Sequence, residues 1–187
     1  FIKVFSRFEA LMGAKEAPVT EFIAKFAIMI NETGGTFVSK GENGDLAYHF
    51  GTNGGNKKSY NAGLNGSRKA GDQLVSLCAK KGIKFSEADK ALWNGTTWPA
   101  SQPQAVKDLS RECDYYRYRG HGLVQLTWRN AYLKHVDPVL KAKGLGTCDS
   151  LPIDTFEKYL ADYDIVVPTV CSYFKGLGDK YTKVRNN

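Results

Sequence analysis

The stretch Thr20-Glu21-Phe22-Ile23-Ala24-Lys25-Phe26-Ala27-Ile28-Met29-Ile30-Asn31-Glu32-Thr33-Gly34-Gly35 decides the outline of the fold. Phe22, Ile23, Phe26, Ala27 and Ile30 recur at helical spacing behind a capping-type Thr20, and Gly34-Gly35 supplies a stop, so a helix is predicted over Glu21 to Glu32. Met29 joins the same arc, while Ala24 and Ile28 lie across from it. A helix that is apolar nearly all round is expected to be central and buried.

Downstream the character changes. From Thr36 to Gly71, Gly41, Gly44, Gly51, Gly54, Gly55, Gly63 and Gly66 are interspersed with Asn43, Asn53, Asn56, Asn61 and Asn65, the chemistry of loops and short hairpins. Helical patterns then return over Asp72 to Lys81, ended by Gly82; over Ser86 to Trp93, with Asp89 completing a capping box; and over Gln104 to Glu112 behind Pro103. Further helices are expected near Arg129 to Val136, over Thr155 to Tyr163 opened by Asp154, and over a Pro168-containing stretch to Phe174. The expectation is an α+β domain, predominantly α-helical, with a small loop or β lobe flanking a substrate cleft. At 187 residues with 42% hydrophobic and 24% charged content, one domain over 1–187 can bury its own core. No run reaches the ~18 apolar residues of a membrane span, so no transmembrane segment is expected.

The formal net charge is +7, and the segment from Lys57 to Phe85 holds most of the excess, with Lys57, Lys58, Arg68, Lys69, Lys80, Lys81 and Lys84 against Asp72 alone. Such a segment suits an anionic partner or is simply a solvated face. No recognition-helix, RRM-like or KH-like signature accompanies it, so nucleic acid is not the expected partner. The opening Phe1-Ile2-Lys3-Val4-Phe5-Ser6-Arg7 lacks the pattern of a signal peptide, and the chain is expected to be part of a longer protein. Cys78, Cys113, Cys148 and Cys171 show no CxxC pairing, leaving disulfides and buried free thiols both open. His49, His121 and His135 have no metal-ligand spacing and no calcium-loop pattern of acids is present, so no metal or other cofactor is expected.

Glu32 is the first candidate for chemistry. A helix C-terminus and an apolar surround both disfavour a carboxylate, which would keep a proton available for donation to a glycosidic oxygen. An exposed acid at a helix end is the alternative. The second candidate is Tyr118-Arg119-Gly120-His121-Gly122-Leu123-Val124-Gln125-Leu126-Thr127-Trp128-Arg129-Asn130-Ala131-Tyr132. Its glycines permit a tight turn, and if the segment is extended Gln125 and Thr127 fall on one side, with Tyr and Trp offering flat surfaces to sugar rings. A glycine turn followed by a core strand is the bland reading.

These residues carry a resemblance. Phe26 to Gly35 resembles the His-Glu-Thr/Ser-Gly-Gly helix end of family 19 glycoside hydrolases, and Tyr118 to Tyr132 resembles their Tyr-x-Gly-Arg-Gly-x-x-Gln-Leu-Thr signature. The tail from Val166 through Ser172-Tyr173-Phe174-Lys175 to Val184-Arg185-Asn186-Asn187 looks like the family's late helix and its Arg/Asn-containing end. The family comprises chitinases and phage-type endolysins with a mainly helical, lysozyme-like fold. The resemblance implies Glu32 as general acid, Gln125 as a substrate contact and Thr127 as the hydroxyl that positions the attacking water. Tyr118, His121, Asn130 and Arg185 join Gln125 as candidate substrate contacts. Three positions depart from the pattern: Asn31 replaces the usual His, His121 the usual Arg, and Ala131 a common Asn, for which the adjacent Asn130 is the substitute.

An inverting glycosidase also needs a second carboxylate, roughly 6.5–9.5 Å from the acid. Leu46 to Gly71 contains no acid, leaving Glu42 and Asp45 as candidates, with turn chemistry as the alternative for at least one. If neither serves, a one-acid route through the muramic acid's own hydroxyl would yield anhydro ends. Tyr48, Phe50 and Tyr60 are candidates to line sugar subsites. Because chitin is neutral and peptidoglycan carries stem-peptide carboxylates, the basic segment favours peptidoglycan glycan strands as partner. The expected function is therefore a muramidase-like or endolysin-like peptidoglycan glycosidase, acting as a monomer in the bacterial periplasm or cell wall after lysis or carriage by a larger secreted protein. An effector of that kind would meet a cognate immunity or inhibitor protein. A chitinase and a noncatalytic cell-wall-binding module are the alternatives.

Overall fold

A computed structural model of the chain describes Ser6, residues 19–42 and residues 63–177. Asp45, Tyr48, Phe50, Lys57, Lys58, Tyr60 and Arg185 lie outside the described residues. The architecture is predominantly helical: α1 Val19–Thr33, a 3-10 turn Leu64–Gly66, α2 Ala70–Lys80, α3 Glu87–Trp93, α4 Gln104–Ser110, α5 Asp114–Arg117, α6 Arg129–His135, α7 Asp137–Ala142, α8 Ile153–Ala161 and α9 Tyr163–Leu177. Among the described residues no strand of two or more residues occurs, and β pairing is confined to isolated bridges such as His121 with Leu126. Residues 43–62, where most of the expected lobe falls, lie outside the described residues.

The chain divides into two compact units that interleave in sequence. The first holds, among the described residues, Ser6, 19–40, 121–126 and 133–177; the second holds 41–42, 63–120 and 127–132. The inserted second unit is therefore helical in its described part, carrying α2 to α5, rather than a loop lobe alone.

In the first unit, α9 packs against α7 and α8, and its Val166, Val167, Val170, Cys171 and Phe174 meet Phe26 and Met29 of α1 together with Phe37 and Leu123. Among the described side chains of α1, Lys25, Phe26 and Met29 are the buried ones. Ile23 and Ile30 are 60% and 46% exposed, which corrects the expectation of a helix buried all round. Lys25 sits on the covered face at 3% exposure, its ammonium 5.9 Å from the Phe174 ring centroid. Asp162 separates α8 from α9, its Oδ1 accepting from the Asp164 N–H at 2.9 Å, so the helix predicted through Tyr163 ends at Ala161 and Tyr163 opens the next one. α8 opens behind Pro152 without a side-chain cap, and Asp154 lies in its first turn rather than capping it.

In the second unit, α2 packs on α3 and α4. The α2–α3 approach depends on Gly71, where a Cβ would stand 2.3 Å from the Lys90 carbonyl oxygen. α3 begins with the predicted capping box: Ser86 Oγ accepts from the Asp89 N–H at 3.1 Å, and the Asp89 carboxylate accepts from the Ser86 N–H at 2.8 Å. Trp93 and Tyr115 are buried with Trp98 edge-on to Trp93 at 5.1 Å, and Ser110 Oγ shares a 2.5 Å hydrogen bond with the Tyr115 hydroxyl. Cys78, Cys113, Cys148 and Cys171 are all buried free thiols. Burial pushes the Cys171 thiol up to about 11, so it stays protonated at neutral pH.

Candidate functional site

Glu32 stands on the last turn of α1, whose end is closed by a Schellman motif. The Gly35 N–H donates to the Ile30 carbonyl at 2.8 Å and the Gly34 N–H to the Asn31 carbonyl at 3.4 Å, with Gly34 at φ 58°. The glycines that ended the predicted helix are thus the residues whose φ the turn requires. Glu32 is exposed, so the apolar surround expected for it is not found. Thr33 turns back on the helix: its Oγ1 donates to the Met29 carbonyl at 2.7 Å and accepts from the Phe37 N–H at 3.2 Å. Phe37 in turn is held at φ 53° with its ring 5.9 Å from that of Phe26, and its carbonyl accepts from the Tyr163 hydroxyl at 2.7 Å. A left-handed residue with a Cβ costs about 1–2 kcal/mol, and here three named contacts hold it in place.

The central part of the second motif is not extended. His121 and Leu126 exchange two backbone hydrogen bonds at 3.1 and 2.8 Å, closing 122–125 into a tight loop with Gly122 at φ 79° and Gln125 at φ 45°. This corrects the extended reading, and with it the inference that alternation places Gln125 and Thr127 on one side. The glycine that permits the turn sends the chain back on itself within four residues. The Gln125 Nε2 donates to the Gly122 carbonyl at 3.3 Å, inside the loop. His121 is buried at 5% exposure. The loop meets the segment that follows Glu32: the Gly122 N–H donates to the Lys40 carbonyl at 3.3 Å, and Ser39 Oγ donates to the Leu160 carbonyl at 2.5 Å.

In the second unit, Glu42 binds the other flank of the motif. Its N–H donates to the Gly120 carbonyl at 2.8 Å, and its Oε2 accepts from the Gly120 N–H at 3.3 Å. The carbonyl of Glu42 accepts from Arg119 Nε at 3.2 Å, while the Arg119 guanidinium stacks 3.8 Å from the Tyr116 ring centroid and Nη1 donates to the Tyr116 carbonyl at 2.8 Å. Tyr118 is 0% exposed and its ring packs at 5.2 Å on Tyr132, whose hydroxyl donates to the Arg119 carbonyl at 2.6 Å. That packing removes Tyr118 from the candidate sugar contacts. Its carbonyl serves instead, accepting from the Trp128 N–H at 3.0 Å. Asn130 is exposed and lies against Gly66, where a Cβ would stand 2.1 Å from Asn130 Oδ1. Thr127 is half-buried.

Asp114, 0% exposed, gathers this unit electrostatically. Its carboxylate accepts from the Arg68 N–H at 2.8 Å and from the Arg68 guanidinium at 2.7 Å, with Arg129 Nε 3.7 Å away. Asp114 thereby links the segment before α2 and the start of α6 to α5. One charge of the basic segment is thereby matched internally, leaving Lys69, Lys80, Lys81 and Lys84 as its exposed described cations.

The structure thus brings Gln125 and His121 together with the segment following Glu32 in one unit, and Glu42 together with Tyr118 and Arg119 in the other. Arg119 and Asp114 escaped the sequence reading as individual residues. An Arg before glycine and an Asp at the start of a four-residue helix carry no local signal of their distant partners. Among the described residues no group of three or more His, Cys, Asp or Glu is placed to hold a metal ion, and no helix is long and apolar enough to cross a membrane. No family model matches the chain, and neither a curated protein nor a solved structure matches it.

Proposed function

We propose that the chain is a peptidoglycan glycosidase in which Glu32 is the general acid. Glu32 would donate its proton to the glycosidic oxygen as the bond to the anomeric carbon breaks. A water would add to that carbon and give up its proton to a base, or the muramic acid's own hydroxyl would add and return its proton to Glu32. The observation that supports this reading is that residues 121–126 of the second motif, about 90 residues on, lie in the same compact unit as the Glu32 helix: the segment leaving that helix is hydrogen-bonded to the Gly122 loop that carries Gln125. The exposed Lys69, Lys80, Lys81 and Lys84 suit the carboxylates of peptidoglycan stem peptides. The site of action consistent with this substrate is the bacterial cell wall.

Mass spectrometry of fragments released from purified peptidoglycan tests the reading. The unmodified chain is expected to release muropeptides and Glu32→Gln to release none while keeping the helical circular dichroism of the parent. Reducing ends would indicate hydrolysis and anhydro ends the intramolecular route. Equal release by Glu32→Gln, or release from chitin alone, would refute the assignment.

A further inference from the structure

Four asparagines of the chain precede a glycine, at positions 43, 53, 65 and 94. Asparagine is thermolabile, and an Asn–Gly step is its most reactive setting: the following backbone nitrogen can reach the side-chain amide carbon, and glycine puts no Cβ in the way. Asn43 and Asn53 lie outside the described residues, and the other two stand in opposite environments within the second unit. Asn94, at the C-terminal end of α3, is clamped. Its Nδ2 donates to Asp72 Oδ1 at 3.1 Å and its Oδ1 accepts from the Asp72 N–H at 3.3 Å. The nitrogen that would attack it is engaged as well, since the Gly95 N–H donates to the Leu92 carbonyl at 3.1 Å. Asn65 is exposed and makes no side-chain hydrogen bond among the described residues. It holds φ 52° and ψ 37° inside the Leu64–Gly66 turn, a left-handed conformation that costs on the order of 1 kcal/mol and narrows the gap to its other conformers.

We propose that Asn65 is a site of spontaneous covalent modification, converting to aspartate and isoaspartate in the folded protein while Asn94 is protected, and that the isoaspartyl product loosens the Asp114 anchor. The Gly66 nitrogen gives up its proton to solvent base and attacks Asn65 Cγ. A C–N bond forms, the Cγ–Nδ2 bond breaks, and the amide nitrogen takes up a proton and leaves as ammonia. Water then opens the five-membered imide at either carbonyl. One opening gives aspartate; the other gives isoaspartate, whose main chain runs through the side-chain carbon and is one methylene longer. Both products add a negative charge. The extra methylene enters directly before a crowded stretch, in which a Cβ on Gly66 would stand 2.1 Å from Asn130 Oδ1, Ser67 is buried and Arg68 binds Asp114. A lengthened chain there shifts Arg68 relative to the buried carboxylate it satisfies.

The full chain is incubated at mildly alkaline pH and body temperature, natively and in denaturing urea, and peptide mapping by mass spectrometry follows each asparagine with time. In the native protein Asn65 is expected to convert at least about tenfold faster than Asn94, and in urea the two rates are expected to agree within about threefold. Asn65→Gly, which keeps the positive φ, is expected to remove the modification from this peptide and to fold as the parent does. Native rates within about threefold of each other overturn the assignment, as does an Asn65 that stays intact natively over an interval that converts it in urea. A tenfold ratio that persists in urea overturns it too, because the immediate sequence and not the fold would then set the rates. The isoaspartyl form, separated by chromatography, is expected to unfold at a lower urea midpoint than the parent. A midpoint equal to the parent's shows that the turn absorbs the extra methylene and overturns the coupling to Asp114.

Discussion

Replacing Asp114 tests whether its carboxylate holds the second unit together. In the structure it accepts from the Arg68 N–H and guanidinium at 2.8 and 2.7 Å and lies 3.7 Å from Arg129 Nε, with its own side chain fully buried. Removing one partner of a buried ion pair typically costs about 3–5 kcal/mol. Here the Arg68 side chain is 50% exposed and can recover water, which places Asp114→Ala at the lower end, about 3 kcal/mol. Asp114→Asn keeps the size and an acceptor for the Arg68 N–H but loses the charge, for about 1–2 kcal/mol. Urea unfolding followed by circular dichroism reads both. With a slope of roughly 2 kcal/mol/M, the midpoint should fall by about 1.5 M for Asp114→Ala and by about half that for Asp114→Asn. The order matters as much as the size. A midpoint for Asp114→Ala within about 0.3 M of the parent at unchanged slope would show that water replaces the carboxylate readily, and the anchoring argument would be wrong.

Two glycines separate backbone strain from steric conflict, and one histidine gives a pH signature. At Gly34, φ is 58° and a Cβ would meet nothing within 4 Å, so Gly34→Ala should cost about 1 kcal/mol through conformation alone. Gly66→Ala should cost more, because its Cβ would stand 2.1 Å from Asn130 Oδ1, and adding Asn130→Ala should recover part of the loss; thermal midpoints of the three variants check this. His135, hydrogen-bonded through Nδ1 to Ser172 Oγ at 3.0 Å and edge-on to Tyr173, is held below its ordinary value chiefly by burial and secondly by Lys134. The unfolded chain therefore takes up this proton first. Stability from this site is full above about pH 6.5 and is lost as pH falls from there through the lower folded value. Urea midpoints at pH 7.5 and 5.5 should differ more in the parent than in His135→Gln, and an equal difference would rule out the histidine as the source.

Elements governed by neighbours within a few residues were legible in the chain. Ser86 and Asp89 cap α3 because the box needs only those two side chains and the backbone between them. Gly34 and Gly82, at φ 58° and 67°, end or follow helices for the same local reason. The short α5 and α7 were missed, since helices of four and six residues show too little periodicity to be seen. The candidate site divides along the same line. Glu32 at a helix end and a glycine turn at 120–122 follow from residue order, whereas the buried state of Tyr118 and the bonds joining Glu42 to Gly120 follow from contacts far along the chain.

Apolar spacing established that α1 is a helix, but not which of its faces is covered. Periodicity places Ile23 and Ile30 beside Phe26 on a wide apolar arc, and packing in the first unit buries Phe26, Met29 and even Lys25 while leaving the two isoleucines exposed. The same limit applies to Gln125 and Thr127. Alternation along a strand orders side chains only while the backbone stays extended, and the reciprocal His121–Leu126 bonds with Gly122 and Gln125 at positive φ turn it first. Local sterics and capping act through a few bonds, so residue order carries them. Burial and loop closure are settled by partners such as Lys40, Leu160 and Gly120, brought near only when the chain is folded.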